Sequence, residues 1–218
     1  MLADAAAIEG DWLVAVEQTE GRGRQGRQWQ SPAGNFHGST LVDLRRDDPA
    51  APSLSLVSGL ALIEAAQSLA PDADLVLKWP NDLLSGGAKL SGILLERAGD
   101  RVVAGFGVNL ATAPVLDDRP TAILTRDPPI TAQAFAPVIA AAFARMLETW
   151  RELDTEAFAN AWMSRAHPLG TPLSVHVAPG ERISGSFDGI EGDGSLRLRL
   201  ADGSVRVMHA GDVSLGQG

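Results

Sequence analysis

Cysteine is missing from all 218 residues, which excludes disulfides, thiolate metal sites and cysteine nucleophiles. Basic residues are in deficit: 18 Lys and Arg stand against 27 Asp and Glu, for a formal charge of −9. A chain this acidic is a poor general binder of nucleic acid or of an anionic membrane surface. No apolar run approaches the length of a membrane span, and Met1 to Gly10 has neither the basic start nor the apolar stretch of a secretion signal. The histidines, His37, His167, His176 and His209, are scattered without ligand spacing, and no metal cluster, hydrolase serine elbow or phosphate-loop motif is present. These absences point to a cytoplasmic protein whose apolar content of 45% is sufficient for a true core.

The first 165 residues mix strand and helix signals, as in an α/β or α+β protein. Short strands are expected at Trp12–Val16, Thr40–Leu44, Leu75–Trp79, Ser91–Arg97 and Val102–Val108, the last two joined by a tight turn at Gly99-Asp100. Ser53 is placed to cap a helix running to about Ala70, with Pro71 just beyond its end. Phe135, Val138, Ile139, Ala142, Phe143, Met146, Leu147 and Trp150 keep helical spacing throughout, so Pro137 must sit in the first turn or kink the helix. A shorter helix is expected over Glu156–Ala166. After a linker at 167–172 the pattern changes to short strands, Leu173–Val177, Ile183–Phe187, Ser195–Leu200 and Val205–His209, with glycines at 185, 189, 192, 194 and 203 marking corners. That texture predicts a small β-barrel, and so two domains, 1–168 and 169–218.

Gly21-Arg22-Gly23-Arg24-Gln25-Gly26-Arg27 concentrates three arginines in an otherwise acidic chain. Guanidinium groups bind phosphate oxygens bidentately, and the glycines leave backbone amides exposed, so the loop suits a nucleotide phosphate. A solvated flexible loop and an Arg-Gly nucleic-acid segment are the other readings. The formal G-x-G-x-x-G match is not a dinucleotide fingerprint, because Gln28-Trp29-Gln30-Ser31-Pro32 cannot open the required helix. Lys78-Trp79-Pro80-Asn81-Asp82 places a lysine, an indole, an amide and a carboxylate at a strand end; taken alone it is equally a core tryptophan followed by a turn. Lys89 is either a gatekeeper on an edge strand or a cation at the mouth of a pocket. Asn109, after Gly105-Phe106-Gly107-Val108, is either a reader of an adenine edge or a turn residue.

Taken in order, Gly21 to Trp29, Lys78 to Leu83, Lys89-Leu90-Ser91-Gly92-Ile93-Leu94 and Gly105 to Asn109 closely resemble the motifs of biotin–protein ligases, from about Trp12 to Leu110 in detail and more loosely beyond. One position departs: the family has an aromatic where His37 stands. The resemblance implies a fold related to class II tRNA synthetases, a mixed sheet flanked by helices followed by a small SH3-like β-barrel. It implies a two-step ligase that forms biotinyl-5'-AMP from biotin and ATP with Mg2+ and passes biotin to a lysine of a biotin carboxyl carrier protein. It assigns Gln18, Arg22, Gly23, Arg24 and Lys89 to biotin and the biotinyl phosphate, with Lys89 and Arg24 as the catalytic pair. It assigns Arg27, Trp29, Lys78, Asn81 and Asn109 to the nucleotide, and Asp82 to the magnesium ion. Relatives are monomers or homodimers. The resemblance also implies a Ser-Thr-Asn strand ahead of Trp12, so either the true start lies upstream of Met1, the favoured reading, or part of the biotin site has been lost; with no DNA-binding helix-turn-helix ahead of the catalytic motifs, no repressor role and no nucleic-acid partner are expected. The competing readings are a lipoate or octanoate ligase on a related fold and a degenerate relative that binds without transferring.

Overall fold

Val102, Ala104, Phe106 and Val108 are buried against helices, while the intervening Val103, Gly105 and Gly107 face the opposite way. This two-residue alternation sets which face of the sheet is core and which carries a cavity. The computed structural model describes residues 1–152, 154–178 and 180–216. Its strands are β1 (Trp12–Ala15), β2 (Phe36–Asp43), β3 (Leu75–Lys78), β4 (Asp82–Ser85), β5 (Ala88–Ala98), β6 (Arg101–Val108), β7 (Pro172–Ala178), β8 (Glu181–Ile190), β9 (Leu196–Arg199), β10 (Val205–Met208) and β11 (Asp212–Leu215). Its helices are α1 (Leu54–Leu69), α2 (Ala132–Glu152) and α3 (Thr155–Met163).

Strands β1 to β6 form one sheet in the order β1-β2-β6-β5-β4-β3. Every ladder in it is antiparallel, in place of the expected mixed sheet. The reason is local: β3 to β6 follow one another through tight hairpins, which can only reverse the chain. Strand β4 escaped the sequence reading because Pro80-Asn81-Asp82 reads as a turn, yet Asp82 already pairs with Lys78 and Gly92 across its two neighbours.

Helix α1 is buried nearly all round, as its almost uninterrupted apolar sequence requires, and packs between the sheet and α2. Helix α2 buries Phe135, Ile139, Ala142, Phe143, Leu147 and Trp150, and it continues through Pro137, which lies in the second turn on the exposed side. Ser53 stands at the start of α1 but does not cap it. Its hydroxyl donates to the Ala50 carbonyl at 2.7 Å and accepts from Trp150 Nε1 at 2.8 Å, tying α1 to α2.

The C-terminal strands form a five-stranded antiparallel sheet in the order β10-β9-β8-β7-β11. It is not the expected closed barrel: among the described residues no ladder joins β10 to β11, the outermost strands. The two sheets share one hydrophobic cluster, which includes Leu77, Trp79, Trp162, Leu173, Phe187 and Val213. Trp79 Nε1 donates to the Gly194 carbonyl at 2.9 Å, and Leu77 N donates to the Arg165 carbonyl at 2.8 Å. The chain just after α3, at Arg165 and Ala166, thereby covers the edge of β3, which would otherwise offer free backbone groups.

Candidate functional site

The arginine loop is an ordered hairpin. Gly23 N donates to the Arg27 carbonyl at 2.7 Å and Trp29 N to the Gly21 carbonyl at 2.9 Å, around a single 3₁₀ turn at Arg24–Gly26 in which Gln25 is left-handed (φ 57°). No helix follows Gly26, so the dinucleotide reading fails on geometry too. The hairpin folds back over the open face of the sheet and covers a cavity lined by Gln18, Arg22, Gly23, Trp29, Asn81 and the floor glycines.

That floor is made of two glycines directly opposite each other, Gly92 on β5 and Gly107 on β6. The Trp29 indole lies on them: a Cβ at Gly107 would sit 2.4 Å from the ring and one at Gly92 3.1 Å from it. Lys89 Nζ is 5.6 Å from the ring centroid, within cation–π range. Trp29 Nε1 is buried over Gly107, where a Cβ would sit 2.6 Å from it, and has no hydrogen-bond partner. Gln18 Oε1 accepts from Ser31 Oγ at 2.8 Å. Asn81 Nδ2 donates to the Ile93 carbonyl at 2.6 Å, and Asn81 Oδ1 accepts from Arg24 Nη1 at 3.5 Å. Arg22 is the exposed member and pairs with Glu96 at 3.3 Å.

Beside this cavity Asp82 is buried among three cations. Lys89 Nζ lies 2.6 Å from Oδ1, while Lys78 Nζ and Arg119 Nη1 lie 3.5 and 3.8 Å from Oδ2. Burial alone would raise the Asp82 pKa, but Lys89, Lys78 and Arg119 hold it below the usual carboxylate value. Burial also lowers Lys78 against the pull of Asp82. So compensated a carboxylate does not fit the role of magnesium ligand, since a divalent ion would first have to displace the ammonium groups. No group of three or more His, Asp or Glu side chains able to hold a metal occurs among the described residues. Lys89 is no edge gatekeeper: β5 is an interior strand.

Asn109 stands apart from these pocket walls. Its Nδ2 donates to the Ala122 carbonyl at 3.1 Å and its Oδ1 accepts from Asn35 Nδ2 at 3.4 Å, while Asn35 Oδ1 accepts from the amides of Leu110, Ala111 and Thr112, so the two asparagines together hold the chain that runs from Leu110 to Ala122. That segment brings in Arg119, which no motif announced. The same holds for Asp212, at the start of β11, which pairs with Arg27 and lies 4.0 Å from Arg24. Both come from loops or strand ends with no sequence pattern of their own.

Comparison with known proteins agrees with this geometry. Residues 6–111 match the biotin/lipoate A/B protein ligase family, and residues 174–216 match the biotin protein ligase C terminal domain. A biotin–[acetyl-CoA-carboxylase] ligase of Paracoccus denitrificans is 40% identical over 94% of this chain and 90% of its own length. One from Mycobacterium tuberculosis is 36% identical over 97% of this chain and 81% of its own. Among solved structures, a biotin protein ligase from Aquifex aeolicus in complex with biotin and ATP superposes with a TM-score of 0.84 at 25% identity, covering 97% of this chain and 91% of that one. With matching models at both ends, relatives aligned over nearly its whole length and a shared fold, the chain belongs to the biotin–protein ligase family.

Proposed function

We propose that the chain is an ATP-dependent biotin–protein ligase that forms biotinyl-5'-AMP and transfers biotin to a lysine of the carrier domain of a biotin-dependent carboxylase. The observation that carries this reading is the cavity lined by Gly92, Gly107 and the Trp29 indole seated on them, roofed by the arginine hairpin and with Lys89 beside the indole, in a chain so similar to ligases of that name.

In the first half-reaction the biotin carboxylate attacks the α-phosphate of ATP and pyrophosphate leaves. The nucleophile is already ionised at neutral pH, so no general base is needed; the requirement is alignment and neutralisation of charge. We assign Gln18, Arg22, Gly23 and Arg24 to biotin and the biotinyl phosphate, with Lys89 as the cation nearest the developing charge. Support comes from Gln18, Arg22 and Gly23 lining one cavity, with Arg24 tied to its wall through Asn81 and Lys89 beside the Trp29 ring. Arg27, Trp29, Lys78 and Asn81 are assigned to the nucleotide, the Trp29 indole seated on the glycine floor offering a ring on which adenine could stack. Asn109 serves that half of the site through the segment it holds. Asp82 is assigned as the internal counter-ion that sets Lys78, Lys89 and Arg119 in place, and magnesium enters with the triphosphate rather than on a carboxylate cage. The hairpin then shields the mixed anhydride from water until the carrier lysine attacks it. The same reading sets the reaction in the cytoplasm.

Incubating the purified chain with biotin, ATP, magnesium and an acceptor carrier domain, and weighing the carrier by intact-mass spectrometry, tests the proposal. Gain of one biotin per carrier, dependent on ATP and not reproduced with lipoate, is the expected result. A carrier of unchanged mass would reject the transfer activity.

A further inference from the structure

The arginine hairpin meets the C-terminal sheet at the start of β11. Arg27 Nη2 pairs with Asp212 Oδ2, Arg24 Nη1 lies 4.0 Å from Asp212 Oδ1, and the same Arg24 Nη1 donates to the Gly211 carbonyl at 3.2 Å. These contacts join residues 187 and 185 positions apart in sequence. The site on the sheet is fixed. Asp212 opens β11 opposite His176, and Gly211 packs so tightly that a Cβ there would sit 2.6 Å from Val175 Cγ1.

The guanidinium groups of Arg24, in the 3₁₀ turn, and Arg27, just past its end, repel each other, and Arg24 is in addition partly desolvated. The carboxylate between them offsets both effects. Asp212 and the Gly211 carbonyl also take up only part of the donor capacity of each guanidinium, which carries five N–H groups, so the remainder stays available for an anionic ligand. Without this tie an exposed hairpin rich in glycine would have to be ordered at the moment of binding, at the expense of affinity.

We infer that Asp212 is a positioning residue for adenylate formation: from the C-terminal sheet it holds Arg24 and Arg27 of the hairpin in their phosphate-facing arrangement. The inference rests on the proposed ligase activity and deepens it, because it gives the C-terminal sheet a part in the ATP-dependent half-reaction and not merely in carrier docking.

Two readouts on the full chain test it, using Asp212→Ala and the charge-retaining Asp212→Glu. The first needs no activity: trypsin cleavage after Arg22, Arg24 and Arg27 in the ligand-free protein. Loss of a partly exposed ion pair predicts cleavage about fivefold faster in Asp212→Ala and near wild type in Asp212→Glu. The second is kinetic: Asp212→Ala raises KM for ATP and shortens retention of the adenylate by a similar factor, leaves KM for the carrier unchanged, and is repaired in Asp212→Glu. Unchanged cleavage overturns the inference. So does faster cleavage with unaltered ATP kinetics, a defect confined to KM for the carrier, or a defect that Asp212→Glu does not repair. Should the wild-type chain form no adenylate, the ligase reading falls and the positioning role with it, while the cleavage rates still report whether the contact orders the hairpin.

Discussion

Gly107 lies beneath the Trp29 indole so closely that the smallest side chain would meet the ring, at 2.4 Å from Cε2. Its cross-strand partner Gly92 is less crowded, at 3.1 Å from Cζ3. The glycines therefore fix the height of the indole above the sheet, and with it the plane on which an adenine could stack.

Gly107→Ala should push Trp29 off that plane. Because Trp29 sits on a surface hairpin and not in the core, the fold can absorb the shift, and thermal stability should fall by no more than about 1–3 kcal/mol. Misplacing a positioning group by an ångström can cost on the order of a hundredfold in rate, so adenylate formation should drop steeply. Gly92→Ala should be milder. Pyrophosphate exchange measured on both variants checks the ranking, and equal activities would show that the indole is free to move.

Lys89 makes the shortest contact to Asp82. Lys89→Met keeps the length of the side chain and removes the charge. Removing a group that stabilises developing charge typically costs 10²–10³ in rate, whereas Lys78 and Arg119 still compensate Asp82, so the fold should survive with a loss of about 1–3 kcal/mol. Single-turnover adenylation and a urea titration separate the two effects. A variant that lost stability but kept its rate would leave Lys89 with a structural role alone.

Arg24 reaches both Asn81 and the C-terminal sheet. Arg24→Gly should unfasten the hairpin and release biotinyl-adenylate into solvent faster than the wild type does. Filtration of the enzyme–adenylate complex followed over time measures this, and equal retention would mean that the hairpin does not shield the anhydride.

His37 is buried on β2, where Nε2 lies 3.3 Å from the Pro32 carbonyl and Nδ1 has no partner. Burial lowers its pKa, against a smaller opposing effect of the Pro32 carbonyl. A folded-state pKa below the unfolded one means that the unfolded chain binds the proton more readily. The stability held by neutral His37 is then complete above the unfolded value, about 6.5, and declines as pH falls toward the folded one. His167 is lowered in the same direction, by burial and by Lys78. Thermal unfolding between pH 7.5 and 5 should show this early loss. His37→Phe should flatten it without abolishing it, and an unchanged pH profile in that variant would assign the loss elsewhere.

Several elements were legible because their signals are local. The helical spacing from Phe135 to Trp150 reports one continuous buried face, and it is realised in α2. The Gly99-Asp100 turn, flanked by apolar runs, gave the β5–β6 hairpin, and with it the register that later sets Gly92 against Gly107. The change of texture after Pro168 marked the onset of the second sheet. Strand β4 was hidden because its first residue also completes a turn signal, and β11 because Asp212 to Leu215, though alternating, is only four residues long. Ser53 looked like a helix cap because position and residue type agree, but a tryptophan 97 residues later competes for its hydroxyl.

By itself the sequence determined the chemistry available to the protein: arginines in a glycine-rich loop, a lysine entering an apolar strand, no thiol, and a motif order specific enough to imply a ligase. Those are properties of residue type and short spacing, which survive without a fold. The tertiary structure decided which charges meet. Asp82 became a counter-ion to three cations because two hairpins and the 118–120 loop converge on it. Arg24 and Arg27 acquired Asp212 because the second sheet packs beside the first. Electrostatic pairing depends on distance in space and on burial, and neither is written in a local stretch of sequence.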